Sequence, residues 1–147
     1  MFTINELEQS AGVIHQLFNP TQQYNWPLLS QRTGCEVWVK HENHTPTTAF
    51  KVRGGIVLLH SINQSKAQPK GLISATRGNH GQSLSYAGKR MGMPVTIVVP
   101  ESNSLDQNDC IRGHGANLII HGKDFEAARA HALGLQQEYD YRVVAAF

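Results

Sequence analysis

The sequence predicts an α/β protein in which a parallel sheet of about four strands has helices on both faces and follows an N-terminal helix and strand. Two observations predict this fold class. Short apolar runs alternate with longer helical patterns in the second half of the chain, and this alternation is typical of parallel strands joined by right-handed crossovers. The chain also opens with an amphipathic pattern of helical period, which a β-rich run follows.

Capping and periodicity predict the elements that precede the regular half of the chain. Thr3 and Glu6 form a capping-box pattern, and apolar residues then recur at helical spacing until the helix ends at Asn19. The alternating run 36–40 predicts a strand. The apolar run 56–62 predicts a buried helix, after which a polar turn leads to the next unit.

The regular half of the chain begins at Gly71. We expect strands at about 71–75, 95–99, 117–121 and 143–147, and helices near 80–91, 104–112 and 124–139. The last helix supports the series because Phe125, Ala128 and Ala132 fall on one helical face.

Composition and charge exclude several classes of protein. The 147 residues are 40% hydrophobic and 16% charged, which is typical of a globular domain. The formal net charge is +2 and no basic run occurs, so we expect no nucleic-acid partner. The chain opens without a basic segment followed by an apolar stretch, and its apolar runs are too short to span a bilayer, so we expect a cytoplasmic protein without membrane association.

The cysteines and histidines do not indicate a metal site. Cys35 and Cys110 lie far apart in sequence and form no CxxC motif, so we expect buried thiols. His41 and His44 are spaced like a metal-binding pair, but no second pair with ligand spacing accompanies them. The sequence therefore predicts no metal.

The first motif that could take part in chemistry is the segment 50–55, Phe-Lys-Val-Arg-Gly-Gly. Lys51 and Arg53 place two cations at a helix start, where they oppose the helix dipole and cost a few tenths of a kcal/mol each. An amine that acts as a nucleophile benefits from this position, because nearby positive charge and desolvation favour its neutral form. A surface lysine before a glycine-containing turn is the alternative interpretation of this motif.

The second motif is the segment 76–82, Thr-Arg-Gly-Asn-His-Gly-Gln, between the strand ending at Ala75 and the next helix. In doubly wound sheets ligands bind beyond the carboxyl ends of the strands, and the free amides of a helix start suit an anion such as a carboxylate. The glycine spacing is not GxGxxG, which disfavours a nucleotide-binding domain. An ordinary strand-to-helix turn is the alternative.

Taken together, the two motifs resemble the fold type II pyridoxal-phosphate enzymes, the tryptophan synthase β-like family, and especially its threonine and serine dehydratase branch. The resemblance extends over most of the chain. Its further matching segments are, in order, 38–43, 95–100, Gly115-Ala116, His121-Gly122 and Val144.

The resemblance implies a role for each residue of the two motifs. Lys51 would carry pyridoxal 5'-phosphate as a Schiff base and move the α-proton, Phe50 would lie against the cofactor ring, and Asn79 would hydrogen-bond the phenolic oxygen. The substrate carboxylate would be held by the backbone amides of Thr76, Arg77, Gly78, Asn79 and His80. The implied function is a dehydratase, or ammonia-lyase, that converts L-threonine, L-serine or a related hydroxy-amino acid to a 2-keto acid and ammonia. The intact protein would be a homo-oligomer, as a dimer.

The resemblance also implies how the chain is divided. Residues 1–48 would begin a large domain and residues 49–147 would form a small α/β domain. The remainder of the large domain, with its glycine-rich phosphate loop, would be absent from this sequence, so we expect an N-terminal fragment that is inactive by itself. The alternative is a noncatalytic module that only self-associates or binds a partner.

Arg77 departs from the family pattern. The related serine racemases need a serine at this place, which makes elimination the better expectation than racemisation. The arginine could pair with an extra carboxylate on a substrate of the hydroxy-aspartate type, or it could be a solvated surface cation.

Overall fold

Two helices and a two-stranded antiparallel ribbon make up the first part of the structure, a computed structural model that describes residues 2–146. Their bounds are α1 (Ile4–His15), β1 (Gln23–Asn25), α2 (Pro27–Thr33) and β2 (Trp38–Lys40), and a 3-10 turn follows at Glu42–His44. The ribbon pairs Gln23 with Lys40 and Asn25 with Trp38. These elements belong to the first of two compact units, Met1–Phe50 and Lys51–Phe147.

The predicted capping box at the start of α1 is confirmed. The Thr3 hydroxyl accepts a hydrogen bond from the Glu6 backbone N–H at 3.3 Å, and the Glu6 carboxylate accepts one from the Thr3 backbone N–H at 2.7 Å. The helix ends at His15 rather than near Asn19, because the next N–H groups turn back to the carbonyl of Ile14.

Strand β1 and helix α2 are absent from the prediction for the first unit. Strand β1 is three residues long and carries no apolar alternation, so it leaves little trace in the sequence. Helix α2 has Pro27 in its first turn and a left-handed Gly34 at its end, which are recognised signals of a short helix. Strand β2 begins at Trp38 and is shorter than the predicted run 36–40.

The second unit contains a four-stranded parallel sheet in the order β5-β4-β3-β6, flanked by helices, so the predicted fold class is confirmed. The bounds are α3 (Val52–Gln64), β3 (Leu72–Ala75), α4 (Asn79–Met91), β4 (Val95–Val99), α5 (Leu105–Gly113), β5 (Asn117–Ile120), α6 (Phe125–Tyr139) and β6 (Arg142–Val143). Strand β6 is shorter than the predicted 143–147, although the Val144 N–H still donates to the Ile73 carbonyl at 2.9 Å. Phe147 lies outside the described residues.

The core of the second unit forms on both faces of the sheet, because successive strand side chains point to opposite sides. On one face, Ile73 and Val98 pack against Ala128 and Ala132 of α6. On the other face, α4 approaches the sheet closely at Gly81: a methyl group there would lie 2.8 Å from Thr76 Cγ2 and 3.3 Å from Ile97 Cγ2. This close approach sets the start of α4 directly beside the end of β3.

The expectation of buried thiols is wrong, because both cysteines are exposed. Cys35 follows the left-handed Gly34 at the end of α2, and Cys110 lies on α5, whose buried positions are Asn108 and Ile111. Among the described helices, none is long and apolar enough to cross a membrane.

Candidate active site

A cleft of about 550 Å³ opens beyond the carboxyl end of β3 in the second unit. The cleft is lined by Lys51, Thr76, Arg77, Gly78, Asn79, His80, Phe125 and Ala146. The structure therefore brings the predicted lysine together with the predicted carboxylate-binding segment. Ligand sites of open α/β sheets lie at this end of the strands.

Lys51 caps the start of α3, as the sequence indicated, and its backbone is held firmly. Its carbonyl accepts a hydrogen bond from the buried Ser83 Oγ at 2.6 Å and another from the Gly55 N–H at 3.3 Å. A side chain at Gly55 would overlap Ser83, so glycine is needed for this contact between α3 and α4. Helix α3 has no acidic residue in its first turn. The helix start is therefore cationic.

The Lys51 side chain, in contrast to its backbone, is available for chemistry. It is half-buried, and its ammonium group forms no hydrogen bond or ion pair with any side chain or carbonyl in the described range 2–146. An amine that has no partner and lies beside a cleft is free to react with an aldehyde.

The segment 76–80 continues β3 and turns into α4. Thr76 is 4% exposed and its N–H donates to the Val98 carbonyl at 3.1 Å, so the sheet fixes the start of the segment. No side chain caps α4 at Gly78, and the Asn79 side chain is exposed. The first-turn N–H groups of α4 are the donors that an anion such as a carboxylate accepts.

His80 is the cleft residue whose charge state is most clearly set by its surroundings. Burial lowers the pKa of the imidazole from its usual 6.5 and the Lys51 charge lowers it further, whereas a hydrogen bond to the Val144 backbone opposes both. Its Nε2 atom is buried and has no hydrogen-bond partner among the described residues. The imidazole is therefore neutral at pH 7, with an unused acceptor inside the structure.

Phe50 belongs to the first unit, where its side chain is 63% exposed. The turn before it is closed by Thr45, whose hydroxyl accepts from the Ala49 N–H at 3.0 Å and donates to the Ala49 carbonyl at 2.9 Å. Thr48 has a φ of 53°, which is costly for a β-branched residue. The predicted contact of Phe50 with a cofactor ring stays a prediction.

Sequence reasoning missed two cleft residues and one supporting residue. It assigned Phe125 to the buried face of α6, although the ring also lines the cleft with Ala146. Ser83 holds the Lys51 carbonyl, and no local pattern reveals a hydrogen bond to a backbone atom so distant in sequence.

Metal ligands are not clustered in the part of the chain that the structure describes. Within residues 2–146, no group of three or more His, Cys, Asp or Glu side chains is arranged to hold a metal ion. The rings of His41 and His44 stack at 5.5 Å between centroids.

The fold and the cleft place the second unit among the α/β proteins that bind small ligands at the carboxyl ends of parallel strands. The family of pyridoxal-phosphate dependent enzymes matches residues 14–147, and the chain belongs to this family. This match and the relatives described next confirm the predicted resemblance to fold type II enzymes and to their threonine dehydratase branch.

The relatives of the chain include threonine dehydratases and a racemase. The biosynthetic L-threonine dehydratase of Haemophilus influenzae is 28% identical over 98% of this chain and 28% of its own length. The structure of threonine deaminase isoform 2 from Solanum lycopersicum matches with a TM-score of 0.77 and 28% identity, over 97% of this chain and 43% of that one. Serine racemase from Dictyostelium discoideum matches with a TM-score of 0.86 and 26% identity, over 97% and 46%. The chain thus spans less than half the length of each.

The residues of the cleft fit the reactive end of pyridoxal phosphate. Lys51 offers an amine without a partner to an aldehyde, and Asn79 offers an exposed amide. The uncapped start of α4 offers N–H groups to a substrate carboxylate. The buried Nε2 of His80 is a further polar atom in this region, and it has no hydrogen-bond partner among the described residues.

Proposed function

We propose that the chain is part of a pyridoxal-phosphate dependent dehydratase, or ammonia-lyase, which converts L-threonine, L-serine or a related hydroxy-amino acid to a 2-keto acid and ammonia. The observation that carries the proposal is Lys51: a half-buried amine without a partner, held by its backbone at the edge of a cleft that also contains the segment 76–80. The similarity to threonine dehydratases supports the substrate class.

Each cleft residue has a distinct task in this proposal. Bound pyridoxal phosphate would supply an electron sink for charge developing at the substrate α-carbon. Lys51 Nζ would hold the cofactor and would accept the α-proton of the substrate. The N–H groups at the start of α4 would hold the substrate carboxylate, and the Asn79 amide would hold the cofactor.

The charge of the cleft suits this task. Since His80 is neutral at pH 7, Lys51 and Arg77 are the cationic side chains among the residues that line the cleft. Neither faces an acidic lining residue. The cleft therefore favours ligands that present an anionic group, such as the α-carboxylate of an amino acid.

The proposal includes the surroundings of the intact protein. We propose a homodimer in the cytoplasm, with an amino acid as the small-molecule partner and without nucleic acid or membrane partners. Sedimentation analysis of the intact protein tests the dimer: a single species of twice the chain mass is expected, and a monomer contradicts it.

Ammonia release from L-threonine by the longest natural form of this protein tests the function. Lys51→Ala should lower ammonia and 2-keto acid formation by about 10²- to 10⁴-fold, because it removes the group that accepts the α-proton. The matched control is Lys66→Ala, which removes an exposed lysine outside the cleft and should leave the rate unchanged.

The noncatalytic alternative gives a different result in the same assay. A protein that self-associates, retains no pyridoxal-phosphate absorbance after free cofactor is removed and releases no ammonia would contradict the proposed function and favour an association module.

A further inference from the structure

Arg77 is the arginine that lines the cleft. It is exposed and has no hydrogen bond, ion pair or ring contact to any other residue in the described range. Three other arginines of the second unit have partners: Arg90 lies over the Tyr86 ring at 5.4 Å, Arg112 pairs with Asp109 at 3.1 Å and Arg129 pairs with Glu126 at 3.1 Å. Arg142 is exposed and unpaired like Arg77, but it does not line the cleft. The guanidinium of Arg77 therefore has its donors free.

The position of Arg77 is unfavourable for stability alone. It lies just before α4, whose first turn contains no acidic residue, so its charge opposes the positive end of the helix dipole. None of the other lining residues is acidic, and Lys51 adds a second cation. An unpaired cation here costs about a few tenths of a kcal/mol, which an anion bound in the cleft would offset.

The cleft has donors for a second anion besides the α-carboxylate of the substrate. In the proposed function the N–H groups of α4 bind the α-carboxylate of the substrate, and Lys51 binds the cofactor and accepts the α-proton. Neither the α-carboxylate nor the cofactor is assigned to Arg77. A guanidinium presents a planar fork of donors that matches a carboxylate with two parallel hydrogen bonds. A second carboxylate at the far end of the substrate would pair with the positive charge of Arg77.

We infer that Arg77 selects β-hydroxy-α-amino acids that carry a second carboxylate, so that the preferred substrate is a hydroxy-dicarboxylic amino acid. This inference rests on the proposed function, whose reaction it keeps. The α-carbon loses its proton to Lys51, the bond from the β-carbon to the hydroxyl breaks, and water leaves. Water then adds to the resulting imine and ammonia departs, which leaves a keto diacid without oxidation or reduction.

A binding experiment tests Arg77 without requiring turnover. Calorimetric titration of the chain with L-malate and with L-lactate compares two anions that differ in the second carboxylate. Malate should bind about 10- to 100-fold more tightly than lactate, as expected for charge-assisted hydrogen bonds. Arg77→Gln should abolish this preference and Arg77→Lys should retain part of it, whereas Arg112→Gln, outside the cleft, should keep it.

Equal affinity for the two anions, including no binding of either, overturns the inference, as does a preference that persists in Arg77→Gln. Circular dichroism of each variant checks that it is folded.

Turnover by the longest natural form separates this inference from the proposed function. The ratio of kcat/KM for 3-hydroxyaspartate to that for L-threonine should exceed one and should fall about 10- to 100-fold in Arg77→Gln. Ammonia release from both substrates with a ratio below one, or a ratio that Arg77→Gln leaves unchanged, contradicts the inference while the proposed function stands. No ammonia from either substrate contradicts the proposed function, and the anion titration then decides on Arg77 alone.

Discussion

The two units of the chain bury their apolar side chains to very different extents. Within the described residues of the first unit, the buried hydrophobic side chains are Ile14 and Ala49, whereas Ile4 and Leu28 are 76% and 79% exposed. In the second unit every residue of β3 and β4 is buried. The core of the second unit enforces the hydrophobic periodicity, so its strands and helices match the prediction more fully than the first unit, where α1 was predicted and β1 and α2 were not.

Removing one core side chain gives the largest expected difference between the units. Ile73→Ala should destabilise the second unit by about 2–5 kcal/mol, because Ile73 is fully buried between the sheet and α6. Ile4→Ala should change the free energy of unfolding by no more than about 0.5 kcal/mol, since this side chain is mostly exposed. Urea unfolding measures both. Equal costs would contradict the contrast.

Adding a methyl group tests the close approach of α4 to the sheet. Gly81→Ala should cost about 1–3 kcal/mol, because the new atom would meet Thr76 Cγ2 and Ile111 Cδ1 at 2.8 and 3.2 Å. The matched control is Gly134→Ala in α6, where nothing lies within 4 Å. This control should gain up to about 1 kcal/mol from helix propensity. A neutral Gly81→Ala would show that α4 is less tightly seated than the structure indicates.

The capping box gives a smaller effect that is confined to the first unit. Thr3→Ala should destabilise α1 by about 1 kcal/mol, because the Glu6 N–H loses its acceptor. Hydrogen exchange of the α1 amides should speed up, while the amides of β3 and β4 should exchange as before. The control is Ser10→Ala, whose hydroxyl only returns to the Glu6 carbonyl within the same helix. Faster exchange in the second unit would show that the two units do not unfold independently.

Histidine titrations give the finest test of the cleft. NMR should show His80 titrating below its usual 6.5, and Lys51→Met should raise the pKa because it removes a nearby positive charge. His114 provides the internal control: burial and Lys89 lower its pKa, so it should respond to Lys89→Met and not to Lys51→Met. A His80 pKa that is unchanged in Lys51→Met would show that the charge of Lys51 does not act on the imidazole.

The same shift fixes a pH dependence of stability. Below pH 6.5 the unfolded chain takes up a proton at His80 before the folded chain does, so the folded state loses stability as the pH falls through this range. His80→Gln should remove this part of the acid sensitivity, which urea unfolding at several pH values measures.

The sequence predicted the second unit closely because each strand is an apolar run of the right length between turn residues. The strand at 95–99 is correct to the residue, and the others differ mainly at their ends. Strand β1 and helix α2 were missed because three polar residues and a seven-residue helix carry little periodic signal. The exposed cysteines show that residue type alone does not fix burial.

The candidate site was predictable in part for similar reasons. Lys51 and the segment 76–80 stand where helix and strand patterns change, and the structure brings both into one cleft. The support of Lys51 by Ser83 and the share of Phe125 in the cleft depend on how α3, α4 and α6 pack. Such contacts between distant segments leave no local pattern in the sequence.

The most direct test of the central claim is chemical labelling of Lys51. The chain is incubated with pyridoxal phosphate and reduced with borohydride, and the labelled peptides are mapped by mass spectrometry. The label should lie predominantly on Lys51, and Lys51→Arg should remove it while the exposed Lys66 and Lys123 stay unlabelled in both proteins. A label spread evenly over the lysines, or concentrated on one outside the cleft, would contradict the assignment of Lys51 as the cofactor-binding residue.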